Sequence, residues 1–314
     1  MEAVCIVRHP EAEYSWRNIM ALVINRNMMA MNAARNLSNS YGNLETSVRR
    51  LSSGLRVGTA ADDAAGLAIR ELMRADIAAL NQGVRNANDG ISLIQTADGA
   101  LGVIDEKLIR MKELAEQAAT GTYNSDQRLM IESEYQQMAS EITRIANSTD
   151  FNGVHLLNGN LSSSVHNGND LVSTGKLKVH FGTGNDCSED YYYVQIGNST
   201  ASALGLGNQA QEGDGFSVST QAAAQRALVA IEHAITSKDK IRANLGAMQN
   251  RLENTISNLQ IQAENLQASE SRISDVDVAT EMTEFVRNQV LSQAGVAMLS
   301  QANSMAQMAL SLIG

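Results

Sequence analysis

Proline is nearly missing from this chain. Among 314 residues there is one, Pro10, and aromatic side chains make up only 4% against 44% hydrophobic residues overall. Large aromatics dominate ordinary globular cores, so their scarcity points to thin interfaces lined by Ala, Leu, Ile, Val and Met. A basic stretch is missing too, and the net charge of -10 argues against a nucleic-acid partner. No apolar run approaches the roughly 20 residues that a membrane span requires, so no membrane partner is expected.

The signals of an enzyme are equally scarce. Five histidines, His9, His155, His166, His180 and His233, are scattered, with no His-Glu-x-x-His pair to hold zinc. No glycine loop ending in Lys-Ser or Lys-Thr exists to cradle phosphate. Asp62 and Asp63 are adjacent, but at the start of a helix two carboxylates serve as caps before they serve as a shared proton site. His180 and Cys187 fall near three tyrosines, yet two ligands fall short of a structural metal site. No catalytic residue, cofactor or metal is expected.

What the chain does have is a heptad seam. Met73, Ile77, Leu80, Val84, Ala87, Ile91, Ile94, Ala97, Leu101, Ile104, Leu108, Met111, Ala115 and Ala118 recur at alternating spacings of four and three, with one slip at Ile94. Seven residues at about 100° each fall roughly 20° short of two turns, so a seam this strict wraps around a partner helix. At about 1.5 Å per residue the helix is on the order of 70 Å long, which predicts a rod.

Before that seam, Met1 to Ile19 shows neither heptad nor strand alternation and lacks the basic start and apolar run of a signal peptide. It reads as an extension upstream of a true start at Met20, absent from the mature protein. Cys5 then goes with it and Cys187 has no partner for an intrachain disulfide.

A second seam runs through Ala30, Ala34, Leu37, Tyr41, Leu44, Val48 and Leu51 and ends at Ser52-Ser53-Gly54. Thr59 with Asp62 resembles a capping box ahead of the long helix. A third seam, Ile131, Tyr135, Met138, Ile142 and Ile145, closes at Asn152-Gly153, a hairpin dipeptide.

Between Leu161 and Gly215 the chain turns rich in Gly, Ser, Asn and Asp. Residues 177–181 and 191–196 alternate there as strands do, which predicts a small β element. Helical spacing returns from Leu228 to Leu266. A last helix covers about Val278 to Leu312, with Val278, Met282, Val286, Val290, Ala294, Met298, Ala302, Met305, Ala309 and Leu312 read as one face.

The fold class expected is mainly α: a long antiparallel coiled-coil rod with paired terminal helices and a small β element in the middle. The chain goes out, reverses at the β element and returns. Two terminal helices cannot cover their own apolar faces, so self-assembly through Leu37, Tyr41, Leu44, Val48, Val286, Val290, Met298 and Met305 is the natural resolution. Such ends gain order only with neighbours.

Several stretches resemble bacterial flagellin, the flagellar filament subunit: residues 21–31 (ALVINRNMMAM), 50–70 (RLSSGLRVGTAADDAAGLAIR), 151–159 (FNGVHLLNG) and 263–314. The resemblance covers 20–159 and about 216–314. It implies an inner tube built from residues 20–61 and 272–314, an outer-tube rod from 62–160 and 216–271, and a short variable β insert at 161–215. It further implies polymerisation with other flagellin subunits for swimming motility, and secretion through the flagellar type III channel to the bacterial flagellum. The partners implied are an export chaperone, the filament cap and hook-junction proteins. A further partner in a vertebrate host is Toll-like receptor 5, contacted by Arg110, Leu114 and Glu134. A hook-filament junction protein with flagellin-like ends is the alternative.

Overall fold

The fold is taken from a computed structural model that describes residues 27–167, 174–187, 189–207 and 216–313. Five helices dominate: α1 (Met28–Ser53), α2 (Ala64–Ala119), α3 (Ser125–Ser148), α4 (Gln221–Ser274) and α5 (Val278–Ile313). Six short strands lie between α3 and α4: β1 (Asp150–Phe151), β2 (Val154–His155), β3 (His166–Asn167), β4 (Thr174–Gly175), β5 (Leu177–His180) and β6 (Tyr191–Val194). They pair as three antiparallel two-stranded sheets, β1 with β2, β3 with β4 and β5 with β6. The chain divides into two compact units, one of residues up to Leu67 with those from Ile273 onward, the other Ala68–Arg272. The expected extension at 1–19, and Leu22 to Ile24, lie outside the described residues.

Local chemistry explains where the helices begin and end. Asn27 caps α1 by accepting from the Ala30 N–H at 3.0 Å, and Gly54 ends it in the left-handed region with φ 73°. The Thr59 amide and hydroxyl donate to the Asp62 carboxylate at 3.1 and 2.9 Å. This turn stands just ahead of α2, and Asp63 is the true cap, accepting from the Ala65 and Gly66 amides at 3.1 and 3.0 Å. At α3 a reciprocal capping box joins Asn124 and Gln127. Asn152 and Gly153, with φ 51° and 79°, form the tight turn between β1 and β2.

Within the Ala68–Arg272 unit the core follows the long seam. Ala87, Ile94, Ala97, Leu101, Ile104, Leu108, Met111, Ala115 and Ala118 are all buried, and α3 adds Tyr135 and Ile142 while α4 adds Ile231, Leu245 and Leu252. Polar pairs fix the direction of the helices. Arg242 grips Asp98 with Nε and Nη2 at 2.7 and 3.2 Å, and Lys238, only 1% exposed, donates to Asp105 and to Asp239. The α4 number rises from 238 to 242 as its α2 partner falls from 105 to 98, so these helices run antiparallel. By the same logic α3 is antiparallel to α2, since Arg110 meets Glu134 and Arg128 Nε donates to the Ala118 carbonyl at 3.1 Å.

The β5–β6 hairpin lies against α2. Its inner residues Val179 and Val194 are buried in the main core, and Phe181 packs with Leu80, Leu259 and Ala263 in a smaller one. Asn86 Nδ2 donates to the His180 carbonyl at 2.8 Å. The strands expected at 177–181 and 191–196 are thus present, each ending slightly early.

Candidate assembly surface

The other unit is built on α1 and α5. Asn27 Nδ2 donates to the Ala302 carbonyl at 2.9 Å at one end, and Arg50 Nη1 lies 3.5 Å from Glu281 Oε2 toward the other, so the pair is antiparallel. Beyond Arg50 the connecting segments zip together: Val276 N–H donates to the Gly54 carbonyl at 3.0 Å, and the Arg56 N–H to that of Ser274 at 2.6 Å.

The seam between the two helices mixes polar and small residues with a few large apolar ones. On α5 it comprises Glu281, Asn288, Ser292 and Ala302, all buried, with half-buried Phe285, Gly295 and Leu299 between them. These positions keep the four-three spacing of a coiled coil. The helices approach closely at Gly295, where an added Cβ would sit 3.1 Å from Leu37 Cδ1. On α1 the inward residues are Ala30, Ala33, Leu37, Ser40, Leu44, Ser47 and Leu51. Arg50 adds strain, because its Nε is buried without an acceptor.

Many apolar residues of both helices point the other way. Only alternate members of the α1 seam read from the sequence face α5: Leu37 and Leu44 do, whereas Tyr41 and Val48 are about half exposed (51% and 49%). On α5 the residues expected on one packing face, Val286, Val290, Met298 and Met305, all lie on the outside, with Val290 58% and Met298 63% exposed. These four α5 residues, expected to serve self-assembly, are therefore not the ones that meet α1. Polar and apolar side chains are spread around the whole girth of α5, so hydrophobicity alone gives no direction, and the small residues Ser292, Gly295 and Ala302 mark the side that lies against α1. Counting small residues at four-three spacing is the signal that finds this seam.

The start of α5 is held by Asp277. Its carboxylate accepts from the Thr280 hydroxyl at 2.7 Å and the Ala279 N–H at 3.0 Å, and these bonds hold its pKa below the ordinary 3.8. No helix among the described residues is long and apolar enough to cross a membrane.

Arg110, Leu114 and Glu134 are brought together only in part. Arg110 donates to Glu134 from Nε and Nη2 at 3.0 and 2.8 Å, and to Glu113 from Nη1 at 2.9 Å. The Glu134 bonds first, then those of Glu113, hold its guanidinium above the ordinary pKa. This ion pair is accessible on both sides. Leu114 is not: at 2% exposed it belongs to the core, because its position in the heptad turns it inward beside Met111 and Ala115. Of the three residues that the resemblance implied, Arg110 and Glu134 are therefore the exposed ones.

No group of three or more His, Cys, Asp or Glu among the described residues could hold a metal. Cys187 is exposed and free, and His180 stacks with Tyr191 at 6.0 Å between ring centroids. Asp62 and Asp63 are both spent on turns and caps.

Comparisons with known proteins agree with this geometry. Residues 24–162 match the model of the bacterial flagellin N-terminal helical region, and residues 228–313 that of the bacterial flagellin C-terminal helical region. Flagellin FlaB2 of Treponema pallidum (strain Nichols) is 40% identical over 292 residues, which is 93% of this chain and 100% of that protein. A flagellin of Halalkalibacterium halodurans is 43% identical over 292 residues, again 93% of this chain and 100% of the relative. A flagellin of Bacillus subtilis (strain 168) is 40% identical over 304 residues, 92% of this chain and 99% of its own length.

Proposed function

The chain belongs to the bacterial flagellin family and is a structural subunit of the extracellular flagellar filament; we propose that it polymerises through the outward faces of α1 and α5. The observation that carries this reading is the apolar surface the pair leaves uncovered, with Val286, Val290 and Met298 outside while Glu281, Asn288 and Ser292 are buried. Burying a Val or Met side chain contributes about 1.5–3 kcal/mol, so neighbours that cover this face gain several kcal/mol per subunit. Residues 20–61 with 272–314 then form the inner tube, 62–160 with 216–271 the outer tube, and 161–215 a short insert on the outside. The same apolar face suits an export chaperone before assembly, and the filament cap and hook-junction proteins as end partners.

Replacing Val286 and Val290 together by Asp tests this reading. The variant is expected to keep its circular dichroism from the Ala68–Arg272 unit and to yield no filaments in electron micrographs at concentrations where the unaltered protein does. Filaments of normal length from the double variant would show that this face is not buried on assembly.

In a vertebrate host, recognition by Toll-like receptor 5 rests on Arg110 and Glu134, which are exposed and paired, while Leu114 lies in the core. Arg110→Ala with Glu134→Ala is expected to reduce receptor activation by about tenfold or more, as the loss of one central charged contact does. Unchanged activation by monomer whose helical content is normal would remove both residues from the contact.

A further inference from the structure

The buried face of α4 repeats as strictly as that of α2. Ala227, Ile231, Ala234, Lys238, Leu245 and Leu252 are all buried, at steps of three, four or seven residues, and Lys238 is the charged member of the series. A seam with this period does not by itself say which turn of α4 meets which turn of α2. Sliding one helix by a heptad, about 10 Å at about 1.5 Å per residue, brings apolar positions back opposite apolar positions.

The polar pairs break that degeneracy. Lys238 donates to Asp105, and Arg242 donates to Asp98 from Nε and Nη2. The other carboxylate at Lys238, Asp239 at 2.8 Å, belongs to α4, moves with it and carries no information about alignment. On α2, Asp98 and Asp105 stand one heptad apart, and the positions one heptad beyond them hold Ile91 and Lys112. If α4 slides by a heptad toward the start of α2, Lys238 gains Asp98 but Arg242 lies on Ile91, which packs against the core. If it slides the other way, Arg242 gains Asp105 but Lys238 is set against Lys112. Only the observed alignment gives each cation a carboxylate of the facing helix. Lys238 is 1% exposed, so water cannot substitute for a lost partner, and a buried charge left unpaired is strongly destabilising.

We propose that the Lys238–Asp105 and Arg242–Asp98 pairs act as a two-point register key, selecting one alignment of α2 and α4 from those that the heptad repeat permits. A polar residue at a core position specifies register in coiled coils at a cost in stability. One pair alone would exclude a slide only where the next heptad lacks a carboxylate. Two pairs, with the acids one heptad apart and the cations one turn apart, exclude a one-heptad slide in either sense.

Nitroxide labels on Glu116→Cys of α2 and Asn250→Cys of α4, both exposed positions, test it in the full-length monomer with Cys5 and Cys187 replaced by Ser. These labels lie several turns apart along α2, so a one-heptad slide changes their separation by about 10 Å, which double electron–electron resonance resolves. With the key intact one distance is expected. Lys112→Asp, an exposed substitution that leaves both pairs in place, completes a second fully paired alignment, with Lys238 on the new carboxylate and Arg242 on Asp105. After refolding from urea it is expected to add a population about 10 Å shorter. Arg242→Met frees Lys238 to choose Asp98 as well as Asp105 and is expected to add a population about 10 Å longer. A single native distance in Lys112→Asp would overturn the key and show that the packing of the core alone fixes the alignment. Second populations displaced in the same sense in both variants would overturn it as well, since general loosening would then account for them. Loss of helical circular dichroism in Arg242→Met would leave Lys112→Asp to decide, because that surface change removes no core contact.

Discussion

A methyl group on Gly83 would lie 2.0 Å from the carbonyl oxygen of Phe181, whereas around Gly102 nothing comes within 4 Å. Both glycines are inside α2, and in a helix interior Ala is favoured over Gly by about 1 kcal/mol. At Gly102 that gain stands alone, so Gly102→Ala is expected to raise the melting temperature. At Gly83 the neighbour is backbone and cannot rotate away, and overpacking of this kind costs about 1–3 kcal/mol. Gly83→Ala is therefore expected to lower the melting temperature and to break the Asn86 bond to His180, as read by scanning calorimetry and by faster exchange near β5. A rise at both positions would mean that the hairpin does not rest on α2. Nothing in the sequence announced Gly83: the contact is between α2 and a strand almost a hundred residues away, and one isolated glycine in a helical pattern carries no direction. Lys238 was hidden for a related reason, since a lysine between apolar positions looks like a solvated face until its two aspartates are seen beside it.

Elements were legible where one face differs strongly from the rest. The α2 seam could be read residue by residue because charged and amide side chains fill the positions between its apolar ones, and the strands at 177–181 and 191–196 because their inner and outer residues alternate. α5 has no such face, because its polar and apolar residues are spread around the helix, and the two shorter β pairs are two residues each, below any periodic signal. The capped end of α5 offers an element-scale prediction. Asp277 has a pKa depressed by its bonds to Thr280 and Ala279, so its contribution to the first turn is present above the unfolded carboxylate value of 3.8 and fades as the pH falls through the lower folded value. Asparagine caps as well as aspartate does but does not titrate. Protection of the Ala279 amide, normalised for intrinsic exchange, is expected to fall as the pH drops below the unfolded carboxylate value of 3.8 in the unaltered protein and to stay level in Asp277→Asn. Equal loss in both would assign the acid response to some other group.

At the scale of the whole molecule the two compact units differ in what they bury. Among the described residues, the unit holding α1 and α5 has only Val57 and Ala302 as buried hydrophobic side chains, whereas the Ala68–Arg272 unit has the long α2 seam with its α3 and α4 partners. Ordering backbone costs about 1–2 kcal/mol per residue, and apolar burial is the main term that offsets it. In a dilute monomer the α1–α5 pair should therefore open at low free energy while the α2 seam stays closed, as separate cooperative units do. Amides of residues 37–48 and 286–298 are expected to exchange within seconds at neutral pH in the monomer, and those of residues 101–111 to persist for hours or longer. Assembly adds a partner that binds only the folded pair, so protection of the first set should rise with protein concentration, by a factor of ten for each 1.4 kcal/mol of binding, while that of the second set stays constant. Protection of residues 286–298 that is already high in the monomer and indifferent to concentration would mean that the α1–α5 pair is stable by itself and that its exposed valines and methionines do not drive filament growth.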